Sequence, residues 1–225
     1  MLMKKLSFVA FLFFLSTSLL FSQNWQSTDY TKHTWKTFNQ LQIIHEKLDP
    51  SDIDYSLLHA AVFYVTNEYR VQNQLKPFQY ATKMELVAAG HAADMVKYNF
   101  YGHQSKIRNK RKLRDRFQIQ GLNPVMIGEN ISSTAALQYE YGRKVERPQS
   151  PGVFVYQTSK SEIVPMHSYI SYAREIVRLW MESPGHRANI LNPSFTYLGT
   201  GSAVYGEKSF YNMPYFMNVQ CFGSD

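Results

Sequence analysis

A chain of 225 residues with 44% hydrophobic and 18% charged content can bury one sizeable core, and its balance excludes a disordered or fibrous protein. The formal net charge of +7 favours anionic surfaces, yet no nucleic-acid-binding module accompanies it, so a nucleic-acid partner is not expected. A single cysteine, Cys221, excludes an internal disulfide. It sits in an apolar strand pattern and reads as a small buried hydrophobe rather than a nucleophile.

In chain order, Lys4 and Lys5 precede an apolar run over residues 6–21 and the small residue Ser22. That order predicts a secretory signal peptide, residues 1–22. The run is shorter than the roughly 20 residues a spanning helix prefers, so no transmembrane helix is expected after its removal. Losing the two lysines lowers the charge from +7 by two. No cysteine stands where a lipid would attach. Residues 23–50 have no clean period and read as an N-terminal extension of a domain covering 51–225.

From Ser51, a plausible N-cap, Leu57, Leu58, Ala61, Val62, Val65 and Tyr69 recur at helical spacing. The pattern fades at Gln74, and Pro77 prevents its continuation. A second helix fits residues 82–98, with Leu86, Ala89, Ala93, Met95 and Val96 on its apolar side. The basic run Lys106, Arg108, Lys110, Arg111, Lys112, Arg114 and Arg116 reads first as a solvated face and second as an anion-binding patch. Residues 128–131 look like a short turn. Residues 132–167 carry Pro148, Pro151 and Pro165 without periodicity and read as an insertion, long for a loop in a compact domain. A third helix fits 168–181, and Ser183-Pro184 starts a short fourth. The tail reads as strands over 197–204 and 215–222 joined through Gly206 and Asn212-Met213-Pro214. Helices first and a terminal hairpin last predict an α+β fold, an antiparallel sheet covered by helices.

Four polar residues stand out: His103 after Phe100-Tyr101-Gly102, Glu129 in Gly128-Glu129-Asn130, Glu175 on the third helix and His186 at the start of the fourth. Imidazoles and carboxylates suit zinc-type metals or proton transfer near neutral pH. Taken singly, the same residues suit structural roles, and their spacing alone does not bring them together. No His-Glu-x-x-His pair, nucleophile elbow or phosphate-cradling glycine loop is present.

Several motifs nevertheless occur in a recognisable order. Asn67-Glu68-Tyr69-Arg70 leads to Leu75-Lys76-Pro77, and Ala88-Ala89-Gly90-His91-Ala92-Ala93-Asp94-Met95 to Phe100-Tyr101-Gly102-His103. Gly128-Glu129-Asn130-Ile131 follows. Glu175-Ile176-Val177-Arg178-Leu179-Trp180-Met181 then runs into Ser183-Pro184-Gly185-His186-Arg187-Ala188-Asn189-Ile190-Leu191-Asn192-Pro193, the most specific block. From about residue 55 onward the chain resembles the bacterial branch of the CAP superfamily (cysteine-rich secretory proteins, antigen 5 and pathogenesis-related proteins). The resemblance implies a three-layer α/β/α sandwich with a central, mainly antiparallel sheet. It also implies a cleft lined by His103, Glu129, Glu175 and His186, associated in the family with divalent metals including zinc.

Three functions follow from that resemblance and the residues. The leading one is an exported binding module, secreted or held in the periplasm or cell envelope. In it His103 and His186 hold a divalent cation such as zinc, or a polar ligand, with Glu129 and Glu175 lining the cleft. The second is a metal- or carboxylate-assisted hydrolase of peptides or envelope polymers, with Glu129 or Glu175 as base. The third is a non-catalytic surface interaction protein. The partner is a small ligand, a lipid or an envelope polymer, and the sequence does not choose among them.

Overall fold

The computed structural model describes residues 25–150 and 152–225; the expected signal peptide lies outside them. The long central helix α2 (Tyr55–Gln72) is capped by Asp54, whose carboxylate accepts from Leu57 N at 3.0 Å. Ser51, the expected cap, is instead held in a turn by Asp49, which accepts from both its backbone and its hydroxyl. A two-residue strand β1 (Gln79–Tyr80) leads into α3 (Thr82–Lys97), and a short helix α4 (Leu113–Ile119) leads into strand β2 (Met126–Ala135). Helix α5 (Tyr169–Glu182) starts at Ser168, whose side chain accepts from Ser171 N. Proline at the first position opens α6 (Pro184–Ile190). Strands β3 (Tyr197–Glu207) and β4 (Met213–Ser224) form the terminal hairpin.

The four strands lie in the order β1-β3-β4-β2. β4 pairs antiparallel with both β2 and β3, while β1 runs parallel to β3. Alternation along β4 divides the core. Met217, Val219 and Cys221 face α3 together with Met84, Val87, Ala88, Ala92 and Met95. Phe216 and Phe222 face the other layer, where α2 and α5 supply Leu58, Ala61, Tyr172, Ile176 and Trp180. Helix, sheet and helix therefore form the expected α+β sandwich. Cys221 is fully buried, and burial pushes its thiol well above the ordinary range, as expected of an inert cysteine.

Two local expectations change. The buried face of α3 is the Met84, Val87, Ala88, His91, Ala92 and Met95 side, and Leu86 is 53% exposed. Small residues surround this helix on every side, so alanine positions could not orient it. The glycines of β3 do, because a Cβ at Gly201 would overlap the backbone of Ala88 and Ala89. Residues 128–131 are not a turn but the middle of β2, with Glu129 opposite Cys221. Gly128 is required because the Phe195 ring lies only 2.8 Å from where its Cβ would sit.

The extension is part of the core. A 3-10 turn at Ser27–Thr31 and the one-turn helix α1 (Trp35–Phe38) lay Trp25, Tyr30, Phe38, Ile44 and Leu48 into the α2–α5 layer. The expected insertion starts later than residue 132, because residues 132–135 pair with β4 as the end of β2; beyond them the segment up to residue 167 folds on isolated bridges, Val145 with Tyr156 and Val155 with Ile163. It carries its own small core of Leu137, Phe154, Tyr156 and Val164 against Met213.

Candidate functional site

Glu129 is fixed from three sides. β2 places its backbone beside β4, its side chain is buried, and both carboxylate oxygens are engaged. Oε2 accepts from the Arg116 guanidinium at 2.5 Å, and Oε1 lies 2.9 Å from His103 Nδ1. A carboxylate only accepts, so Nδ1 carries the proton and the Nε2 side of the ring is left for other chemistry. The His103 side chain is 57% exposed, so the ring is open to solvent while its Nδ1 is held by a buried carboxylate. The hydrogen bond from Glu129 raises the His103 pKa above its ordinary value.

His186 comes from the first turn of α6, a helix lashed to the same strand. Asn130 donates to the His186 carbonyl at 3.1 Å and to Gln220 Oε1 at 3.1 Å, and Gln220 donates to Thr66 of α2. Asn189 donates to Asn130 Oδ1 at 2.8 Å and to the Glu129 carbonyl. At the far end of α6, buried Arg70 donates to the Ile190 and Asn192 carbonyls, capping the helix. The His186 pKa is lowered, by burial first and then by the charge of His103. The environments of the two imidazoles push them apart, one toward the cation and one toward the neutral base.

Glu175 is placed differently. Its carboxylate binds Arg178 through both oxygens, at 2.7 and 2.9 Å, and Arg178 also binds Glu182. Arg178 holds the Glu175 carboxyl below its ordinary range. Glu175 lines a cavity of about 660 Å³ walled by α5, the end of β2 and the insertion, with His167, Tyr139 and Tyr215. None of His103, Glu129 and His186 is among its lining residues. His167 is almost wholly buried there, its Nδ1 2.9 Å from Ser171 Oγ, and burial lowers its pKa to about 4.

A closed zinc centre needs about four protein ligands. Among the described residues no group of three or more His, Cys, Asp or Glu is disposed to hold a metal ion. The reason is visible in the pairing: Glu129 is taken by Arg116 and His103, and Glu175 by Arg178.

Arg116 and Asn130 escaped the sequence reading as functional residues. Arg116 was counted among the solvated basic run but is 4% exposed. It sits one residue from buried Phe117 on α4, so the helical phase of that short segment was the available signal. Asn130 adjoined Glu129 in the Gly-Glu-Asn motif, but its partners come from β4 and α6, far along the chain.

The comparisons place the chain in a family. Residues 63–222 match the model of the cysteine-rich secretory protein (CAP) family. The uncharacterized protein YkwD of Bacillus subtilis is 28% identical over 157 residues, 70% of this chain and 46% of that protein. The uncharacterized membrane protein YlbC of the same organism is 28% identical over 137 residues, 61% of this chain and 29% of that protein. The chain thus spans less than half the length of these relatives. An extracellular protein with an SCP domain from Bacillus anthracis superposes with a TM-score of 0.51 at 23% identity, covering 80% of this chain and 45% of that one. Among the described residues no helix is long and apolar enough to cross a membrane. The chain belongs to the cysteine-rich secretory protein (CAP) family.

Proposed function

We propose that the chain is an exported binding module whose cleft takes a polar ligand or a divalent cation on His103 and His186. The observation that carries this reading is the Arg116–Glu129–His103 chain of contacts, 2.5 and 2.9 Å long. A buried carboxylate that grips one imidazole nitrogen fixes the tautomer and aims the other nitrogen outward, as partners of ligating histidines do. Glu129 is therefore an orienting group and not a ligand. Glu175, held by Arg178, has no ligating part. A cation on two imidazoles would be labile, with its remaining positions open to a bound ligand. Export is supported by the basic, apolar and small-residue order of residues 1–22 and by the extracellular relative from Bacillus anthracis.

Calorimetry with zinc chloride tests the site. The wild type should bind zinc weakly, and the His103→Ala/His186→Ala variant should not bind it, with the fold intact by circular dichroism. Glu129→Gln should weaken binding about 10–100-fold, the usual effect of losing an orienting partner. Equal zinc affinity in the wild type and the double variant would move the site elsewhere.

A further inference from the structure

The loop between His103 and α4 carries the basic run, whose sequence reads first as a solvated face and second as an anion-binding patch, and its structure gives it a definite shape. Arg116 donates from one guanidinium nitrogen to the His103 carbonyl at 3.1 Å and to the Lys110 carbonyl at 3.2 Å, tying both ends of the loop to one buried side chain. Ser105 N donates to the Arg111 carbonyl at 3.0 Å and closes the loop across its middle. Lys106 Nζ donates to the Asn99 carbonyl at 2.8 Å. Residues 103–112 therefore form a platform with a pinned backbone, which loses less backbone freedom on binding.

The acids around this platform are already committed. Asp94 pairs with Lys110 at 2.8 Å, Asp115 accepts from the backbone of Lys112, and Glu129 is shared by Arg116 and His103. Lys106, Arg108, Arg111 and Lys112 are all exposed, and none forms an ion pair among the described residues. Four uncompensated cations thus share one stretch of seven residues, 106–112. Some basic residues elsewhere do face acids, as Arg143 meets Glu140 and Glu162 and Arg178 meets Glu175 and Glu182.

We propose that this loop is a docking surface for a linear polyanion, a chain bearing phosphate or carboxylate groups at regular intervals. A single small anion would meet only one or two of the four cations. A chain can satisfy all of them in succession and release its counterions at each, which makes attraction strong and steeply dependent on salt. The arginines add bidentate recognition of phosphate or carboxylate. A bilayer is the poorer fit, because the platform pairs its charges with no exposed aliphatic anchor on residues 103–112. The surface goes beyond the cleft reading and does not use the cleft imidazoles.

The test is fluorescence anisotropy with end-labelled long-chain inorganic polyphosphate, with orthophosphate and phosphatidylglycerol vesicles as competitors. The full mature chain should bind polyphosphate, and its affinity should fall on the order of tenfold or more between 50 and 200 mM salt. Arg108→Glu/Arg111→Glu/Lys112→Glu should lose at least tenfold. The control reversal Lys144→Glu/Arg147→Glu/Lys160→Glu, with the same change in net charge on the insertion, should lose less than threefold. His103→Ala/His186→Ala should keep polyphosphate affinity within about twofold, which separates this surface from the cleft. Equal losses in both reversals would reduce the effect to net charge and overturn the proposal. So would orthophosphate competing at the same phosphate concentration as the polymer, or vesicles displacing polyphosphate more effectively than polyphosphate itself.

Discussion

Glu129 and Glu175 are the same residue type in motifs of one family, yet they live in opposite environments. The side chains of Glu129 and Arg116 are each 3% exposed, whereas those of Glu175 and Arg178 are 33% and 45% exposed. Water screens the second pair and leaves it worth little. The first pair has no water to fall back on, so each partner depends on the other. The comparison teaches that a motif carboxylate is a structural keystone or a surface charge according to what its neighbours bury.

The largest effect should come from breaking the buried pair. Arg116→Met leaves the buried Glu129 carboxylate with only the half-exposed His103 as partner and unpins the basic loop, at a cost of about 3–5 kcal/mol. Urea unfolding measures it, and a loss below about 1 kcal/mol would show that water reaches Glu129.

The cavity beside Glu175 predicts a pH effect of slightly smaller size. His167 is held neutral, its pKa lowered from 6.5 to about 4, so the unfolded chain binds more protons between those values. Stability is complete above pH 6.5 and declines as pH falls toward 4, by up to about 3 kcal/mol at 1.36 kcal/mol per unit. His167→Gln should flatten that slope in denaturant titrations at pH 4.5 and 7. His103 acts with the opposite sign, since its pKa is raised by Glu129. Its stabilisation is present below pH 6.5 and is lost as pH rises through the folded value, and its exposure keeps that effect small.

The surface pair should respond least. Glu175→Gln and Arg178→Met should each cost under about 1 kcal/mol. Glu175→Gln should leave zinc affinity unchanged where Glu129→Gln weakens it. A matching loss from both glutamates would mean that Glu175 swings off Arg178 to join the cleft.

Much of this arrangement was legible along the chain. Helices α2, α3 and α5 and the terminal hairpin carry their own periodicity, and the motifs around His103, Glu129 and His186 run in family order. Less legible was whatever depends on which neighbour arrives. Gly128-Glu129-Asn130 contains residues that favour turns, yet ten successive pairings with β4 make it strand. Residues 23–50 lack a period because their burial comes from single aromatics such as Trp25 and Phe38, dropped onto α2 from short turns.

The sequence by itself determined the family, the order of helices and strands, and the residue types offered to the cleft, because periodicity, caps and motifs are local properties of the chain. Tertiary structure alone decided which charges are free. Arg116 lies among seven basic residues within eleven positions of the sequence, and nothing local distinguishes it from Arg108 or Arg111. Folding places it under β2 against Glu129 and leaves Lys106, Arg108, Arg111 and Lys112 in water. Whether a charge is screened or paired depends on what surrounds it in space, and that surrounding comes from residues far away along the chain.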